Sequence, residues 1–124
     1  MNTPTNLKYT KSDEYFDPAT GAVGISDYAQ NQLSDIVFVE LLVDEGEEVT
    51  VGKAIASVES VKASSEIYAP AAGKVSAVNK GLSDKPETLN SDPYGEGWMI
   101  KIEGGAGDVM DSVAYEKYCE GRSH

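Results

Sequence analysis

Two short alternating runs, Ala54-Ile55-Ala56-Ser57-Val58 and Ser64-Ser65-Glu66-Ile67-Tyr68, enclose a lysine, Lys62. Each run has the period of a β-strand, so the lysine falls on the turn of a hairpin, at about residues 54–68, and points at solvent. A primary amine there is a nucleophile only once it has lost its proton. The free amine has a pKa of about 10.4, so an enzyme must remove its proton first. Most lysines are simply solvated. This one is flanked by Val61 and Ala63 where a turn would ordinarily be polar, with Glu59 and Ser60 before it and Glu66 after it. Such a tip is shaped to be read by another protein.

The tip needs a scaffold, and the rest of the chain supplies strands. Gly46, Gly52 and Gly73 mark turns on either side of the hairpin. Leu7-Lys8-Tyr9-Thr10 is a short strand candidate, followed by Ser12-Asp13-Glu14-Tyr15-Phe16, a proline and glycine turn at 17–21, and a return strand at 22–25. Ser26 or Asp27 can cap a short helix to about Leu33, with Ala29 and Leu33 on one face. Residues 36–41 are β-branched and aromatic and read as a buried strand, ahead of an acidic turn of Asp44, Glu45, Glu47 and Glu48. That acidic run is expected to share a face with Lys62 and, with Glu59 and Glu66, to steer basic partners.

Residues 46–60 and 66–79 look like halves of an imperfect repeat, which would set Lys62 at one end of a two-fold sandwich. Residues 80–97 are polar and read as a long surface connection, with one helical turn near Pro86-Glu87. Trp98, Ile100 and Ile102 form one face of a closing strand, and Gly104-Gly105-Ala106-Gly107 breaks the chain. A C-terminal helix is expected at about 108–119, capped by Asp108 or Ser112, with Met110, Val113, Ala114 and Tyr118 as its apolar stripe and residues 121–124 frayed.

Composition excludes several functions. The 124 residues read as one domain, 1–124, with a formal charge of −11 and a single arginine, Arg122. So little positive charge leaves nucleic acid and anionic membrane as poor partners and favours basic protein surfaces. Cys119 and His124 give no metal-ligand cluster, and Cys119 reads as an inert helix residue. No apolar run approaches a membrane span and the amino terminus lacks the character of a signal peptide, so the chain reads as cytoplasmic. For a eukaryotic source with a transit peptide removed, the expected place is the mitochondrial matrix. No nucleophile and base pair or phosphate-cradling loop is visible, so the sequence gives no sign of catalysis by the protein itself.

The hairpin Glu59-Ser60-Val61-Lys62-Ala63 resembles the attachment site of lipoyl carriers, and specifically of the glycine cleavage system H protein family. Biotin carriers place methionine on both sides of the lysine, and Val61 and Ala63 favour lipoyl. The resemblance extends through Val23-Gly24-Ile25, residues 35–41, Ile67-Tyr68-Ala69-Pro70, Ala77-Val78-Asn79, Leu89-Asn90-Ser91-Asp92-Pro93-Tyr94 and Gly97-Trp98-Met99-Ile100. It implies a mainly β fold, a flattened β sandwich or barrel (a barrel-sandwich hybrid, lipoyl-domain-like) with short peripheral helices and a C-terminal helix. Departures are Asp13-Glu14-Tyr15 where the family usually has His-Glu-Trp, Leu42 in place of a proline, and Ser34 in place of a common glycine.

By resemblance, lipoate on Lys62 accepts the aminomethyl group produced by glycine decarboxylase and passes it to an aminomethyltransferase. Dihydrolipoyl dehydrogenase then reoxidises the dithiol, and a lipoate ligase or a lipoyl or octanoyl transferase installs the group. The hard chemistry belongs to the cofactor. The resemblance also implies a cleft for the loaded arm, with Ser12, Glu14 and Glu66 near it. Other readings are a lipoyl-relay or lipoate-binding protein serving lipoylation or sulfur metabolism, a biotin-type carrier, and an interaction module with an unmodified lysine.

Overall fold

The computed structural model describes residues 2–122. Nine strands run β1 (Lys8–Tyr9), β2 (Glu14–Phe16), β3 (Ala22–Ile25), β4 (Ile36–Leu41), β5 (Glu48–Val49), β6 (Ala54–Ser60), β7 (Ser64–Tyr68), β8 (Ala71–Val78) and β9 (Ile100–Ala106). They form a six-stranded sheet in the order β1-β2-β3-β9-β8-β5 and a three-stranded sheet in the order β4-β6-β7. The two sheets make a flattened sandwich without closing into a barrel. Between them lies an aliphatic core that includes Val23, Ile25, Val39, Ile55, Val58, Ile67, Val75, Ile100 and Ile102. No helix among the described residues is long and apolar enough to cross a membrane.

Three helices lie at the periphery: α1 (Asp27–Leu33), α2 (Thr88–Ser91) and α3 (Ser112–Arg122). The α1 start is capped by Ser26, whose hydroxyl oxygen accepts the Ala29 amide proton at 3.2 Å. A second core, of Leu7, Tyr9, Tyr15, Tyr28, Tyr115 and Cys119, fastens α1 and α3 to the β1–β2 end of the larger sheet. Within it the rings of Tyr9 and Tyr115 stack at 4.6 Å and 6°.

Several expectations need correction. The 36–41 strand is only half buried: Ile36 and Val39 point inward, while Val37 and Phe38 are 54% and 47% exposed. An irregularity in its pairing with β6 falls between Ile36 and Phe38 and interrupts the simple alternation. The 80–97 connection is no loose loop, because Leu82 and Leu89 are buried in the main core and Asn90 bonds both the Ile36 amide and the Ser34 carbonyl. The glycine run at 104–107 does not break the chain either. β9 continues to Ala106, pairing Gly104 with Gly73 and Gly105 with Ala72. A side chain at Gly104 would collide with the Ala72 carbonyl, so glycine here marks close backbone approach rather than a stop.

The C-terminal helix starts later and ends later than the pattern suggested. Asp111 caps it, accepting the Ala114 amide proton at 2.8 Å, in place of Asp108 or Ser112. Its buried face is Ser112, Tyr115 and Cys119, and Val113 is 62% exposed. Spacing alone misled because Tyr115 buries a ring that carries a hydroxyl with partners of its own. Gly121 and Arg122 belong to the helix, and positions 123 and 124 lie outside the described residues.

Candidate functional site

β6 and β7 pair with Ser57 opposite Glu66, Val58 opposite Ser65 and Glu59 opposite Ser64, so the hairpin closes over Val61, Lys62 and Ala63. Ser60 organises the turn. Its amide donates to the Ala63 carbonyl at 2.7 Å, and its hydroxyl oxygen accepts the amides of Lys62 and Ala63 at 3.2 and 3.0 Å. The same hydroxyl donates to the Ala63 carbonyl at 3.1 Å. The remaining tip amide, Val61, donates to the Asp35 carbonyl at 3.1 Å. Every backbone donor of the turn is thereby used. The side chains of Val61, which is 67% exposed, and of Lys62 stand outward. Among the described residues the Lys62 amine has no ion-pair partner, so it is open to modification.

Glu59 and Glu66 are both exposed. The acidic run at 44–48 does not share their place. β4 runs antiparallel to β6, with Ile36 opposite Ser60 and Leu41 opposite Ala56, so the chain leaves the tip and reaches Asp44 beyond the far end. Simple proximity in sequence concealed this. Asp35, whose carbonyl accepts the Val61 amide, is a further acid beside the tip.

Two clefts flank the turn at residues 10–14. One, of about 210 Å³, is lined by Ser12, Asp13, Ile25, Tyr28, Ala29, Gln32, Leu33, Ser65, Ile67 and Arg122. The other, of about 360 Å³, is lined by Thr10, Lys11, Ser12, Glu14, Val51, Gly52, Tyr68, Ala69, Pro70 and Asp108. Ser12 therefore belongs to both, Glu14 to the larger, and Glu66 to neither. Along β7, at roughly 3.3 Å per residue, Ser65 lies about 10 Å from the tip lysine and Tyr68 about 20 Å. The smaller cleft is the one beside the hairpin.

Glu14 is 1% exposed, yet its carboxylate is well supplied with donors. Oε1 accepts from the hydroxyls of Thr10 and Ser12 at 2.5 and 2.6 Å, and Oε2 accepts the Tyr68 amide proton at 3.2 Å. Hydroxyl and amide donors are what a buried carboxylate needs in place of water. The family resemblance brought out Ser12, Glu14 and Glu66; nothing in the sequence gave Asp35, Tyr68 or Arg122 a role at this site.

The model of the glycine cleavage H-protein family matches residues 7–121. The chain belongs to that family. It is 52% identical to the glycine cleavage system H protein of Deinococcus deserti, over 94% of this chain and 97% of the relative. With that of Thermotoga maritima it shares 44% identity over 90% of this chain and 94% of the relative. Its structure is similar to the crystal structure of a glycine cleavage system H protein from Mycobacterium marinum. That match has a TM-score of 0.84 and 34% identity, covering 98% and 99% of the two chains. As a member of the family the chain is a carrier component of glycine cleavage.

The departures from the usual family pattern have local explanations. Asp13 is neutralised by a bidentate ion pair with Arg122, at 2.6 and 2.9 Å. The Tyr15 ring lies over Gly24 on the neighbouring strand, and its hydroxyl donates to the Pro93 carbonyl at 2.8 Å. Leu42 donates its amide to the Ile55 carbonyl at 2.9 Å, one bond that a proline could not make. Ser34 closes α1 at φ 66° and ψ −151°, a region that strongly favours glycine.

Proposed function

We propose that residues 1–124 act as one carrier domain of the glycine cleavage system, with lipoate joined to Lys62 through an amide. The observation that supports this most is the tip itself: an exposed amine, with no ion-pair partner among the described residues, on a turn whose amides are all bound. Such a turn presents one rigid shape to a modifying enzyme. Lipoate supplies the disulfide that takes up the aminomethyl cargo; the protein supplies a tether and a surface. Glu59, Ser60, Val61 and Ala63 form the recognition hairpin. Exposed Val37 and Phe38, beside the tip on β4, enlarge its apolar contact area.

The partners on this reading are glycine decarboxylase, the aminomethyltransferase, dihydrolipoyl dehydrogenase and a lipoylating enzyme, and the compartment is the cytoplasm. The cleft beside the hairpin receives the loaded arm. Ile25, Ala29, Leu33 and Ile67 give it an apolar floor that excludes water, and Ser12 gives it a polar end backed by the Glu14 carboxylate. Glu66 faces solvent and acts at the surface.

Incubation with lipoate, ATP and a lipoate ligase, followed by intact-mass and peptide mapping, tests the attachment. One lipoyl adduct on Lys62 is expected, absent in Lys62→Arg, with Lys53, Lys74 and Lys80 unmodified. An adduct that survives the substitution would overturn the assignment.

A further inference from the structure

Asp13 stands between Ser12 and Glu14 and has φ 75°, a left-handed conformation that a non-glycine residue holds only when its surroundings demand it. Four contacts demand it here. Its carbonyl accepts the Ser26 amide at 2.9 Å and its amide donates to Thr10 at 3.1 Å. Its carboxylate takes the Tyr115 hydroxyl proton at 2.9 Å and both guanidinium nitrogens of Arg122. Arg122 in turn lies 4.8 Å from the ring centres of Tyr28 on α1 and Tyr118 on α3, and the Tyr118 hydroxyl donates to the Lys11 carbonyl at 3.1 Å. The last turn of α3 therefore grips residues 11 and 13 and leans on α1, at the rim of the cleft beside the hairpin.

We infer that Arg122 is a positioning residue for the arm cleft, acting through Asp13 to fix the direction of Ser12 and Glu14. The guanidinium is suited to this because it binds a carboxylate through two parallel bonds while its faces remain free to stack. A lysine there keeps the charge and loses the geometry. The inference rests on the proposal that this cleft receives the arm.

The first test uses the unmodified protein. Amide exchange at Ser26 and Tyr68 reports the turn directly, and Val75, bonded to Glu47 toward the opposite edge of the larger sheet, serves as the control. In Arg122→Ala the Ser26 and Tyr68 amides are expected to exchange roughly threefold to tenfold faster, the range for a well-formed, partly exposed pair, with Val75 unchanged. Arg122→Lys should fall between the two. Unchanged exchange at Ser26 and Tyr68 overturns the inference. The second test loads the arm and follows release of formaldehyde and ammonia, with Glu14→Gln in parallel. Faster release in both variants supports positioning. Faster release in Glu14→Gln alone overturns the role of Arg122 and leaves the cleft in place. No change in either overturns the cleft, and with it the inference.

Discussion

The Glu14 carboxylate accepts the backbone proton of Tyr68 at 3.2 Å, which bridges β2 of the larger sheet to the outer edge of β7 in the smaller one. Among the described residues β7 pairs with β6 alone, so its other side is a sheet edge, a feature that folds ordinarily protect. One carboxylate thus seals part of an edge and braces Ser12. Glu14→Ala would leave the Tyr68 amide and the Thr10 and Ser12 hydroxyls without their acceptor at a partly buried place. The expected loss is about 2–4 kcal/mol. Glu14→Gln keeps an acceptor and should lose about half as much. Urea unfolding of the three proteins checks this, and equal midpoints would show that water replaces the carboxylate at no cost.

Ser60 makes four hydrogen bonds within a four-residue stretch, and three of them use its hydroxyl. At an exposed tip the net value of such bonds is small, so Ser60→Ala should cost the fold only about 0.5–1 kcal/mol. Its larger effect falls on recognition, since a loosened turn must be ordered when a modifying enzyme binds. The lipoylation rate at low protein concentration should drop roughly fivefold. Ser60→Thr retains the hydroxyl and should recover most of the rate. Equal rates in all three proteins would mean that the enzyme reads the tip without needing its order.

Much of this fold was visible in the residues. The hairpin at 54–68, the return strand at 22–25 and the Ser26 cap follow from local pattern, because period two and capping chemistry act over a few residues. What stayed hidden depends on partners distant in sequence. Gly104 and Gly105 look like a break until β8 is laid beside them. Arg122 looks like a frayed tail until Asp13, 109 residues away, closes on it. The acidic run at 44–48 looks near the lysine until the direction of β4 is known.

Ser34 offers a test of backbone strain that leaves the site untouched. It ends α1 at φ 66° and ψ −151°, where glycine is at ease and other residues are strained. Its amide donates to Gln30 at 3.0 Å and its carbonyl accepts from Asn90 at 2.8 Å, so the conformation is fixed by backbone contacts that any residue could make. Ser34→Gly should therefore raise stability by about 1 kcal/mol, relief of strain exceeding the added freedom of the unfolded chain. Thermal melting at constant salt checks it. A lower midpoint would show that the serine side chain contributes more than the strain removes.

The buried phenols predict how the protein fails in alkali. Burial raises the pKa of Tyr9, Tyr15 and Tyr115 well above the ordinary phenol value, and pushes that of Tyr94 up to about 12. For Tyr115 the neighbouring Asp13 carboxylate adds to the effect, while the Ser26 hydroxyl opposes it. Each group is protonated in the fold and ionises near pH 10 once unfolded. Above pH 10 the unfolded chain therefore binds fewer protons, and stability falls by about 1.4 kcal/mol per pH unit for each group. Below pH 10 this contribution is fully present; it is lost as pH rises through the folded values. The fold should accordingly hold to about pH 10 and then unfold cooperatively, with phenolate absorbance from the buried rings appearing together with loss of circular dichroism. Tyr15→Phe, which forfeits the bond to Pro93, should start less stable at neutral pH and decline less steeply above pH 10. Phenolate from all the rings appearing near pH 10 while the circular dichroism stays native would show that solvent reaches this tyrosine core.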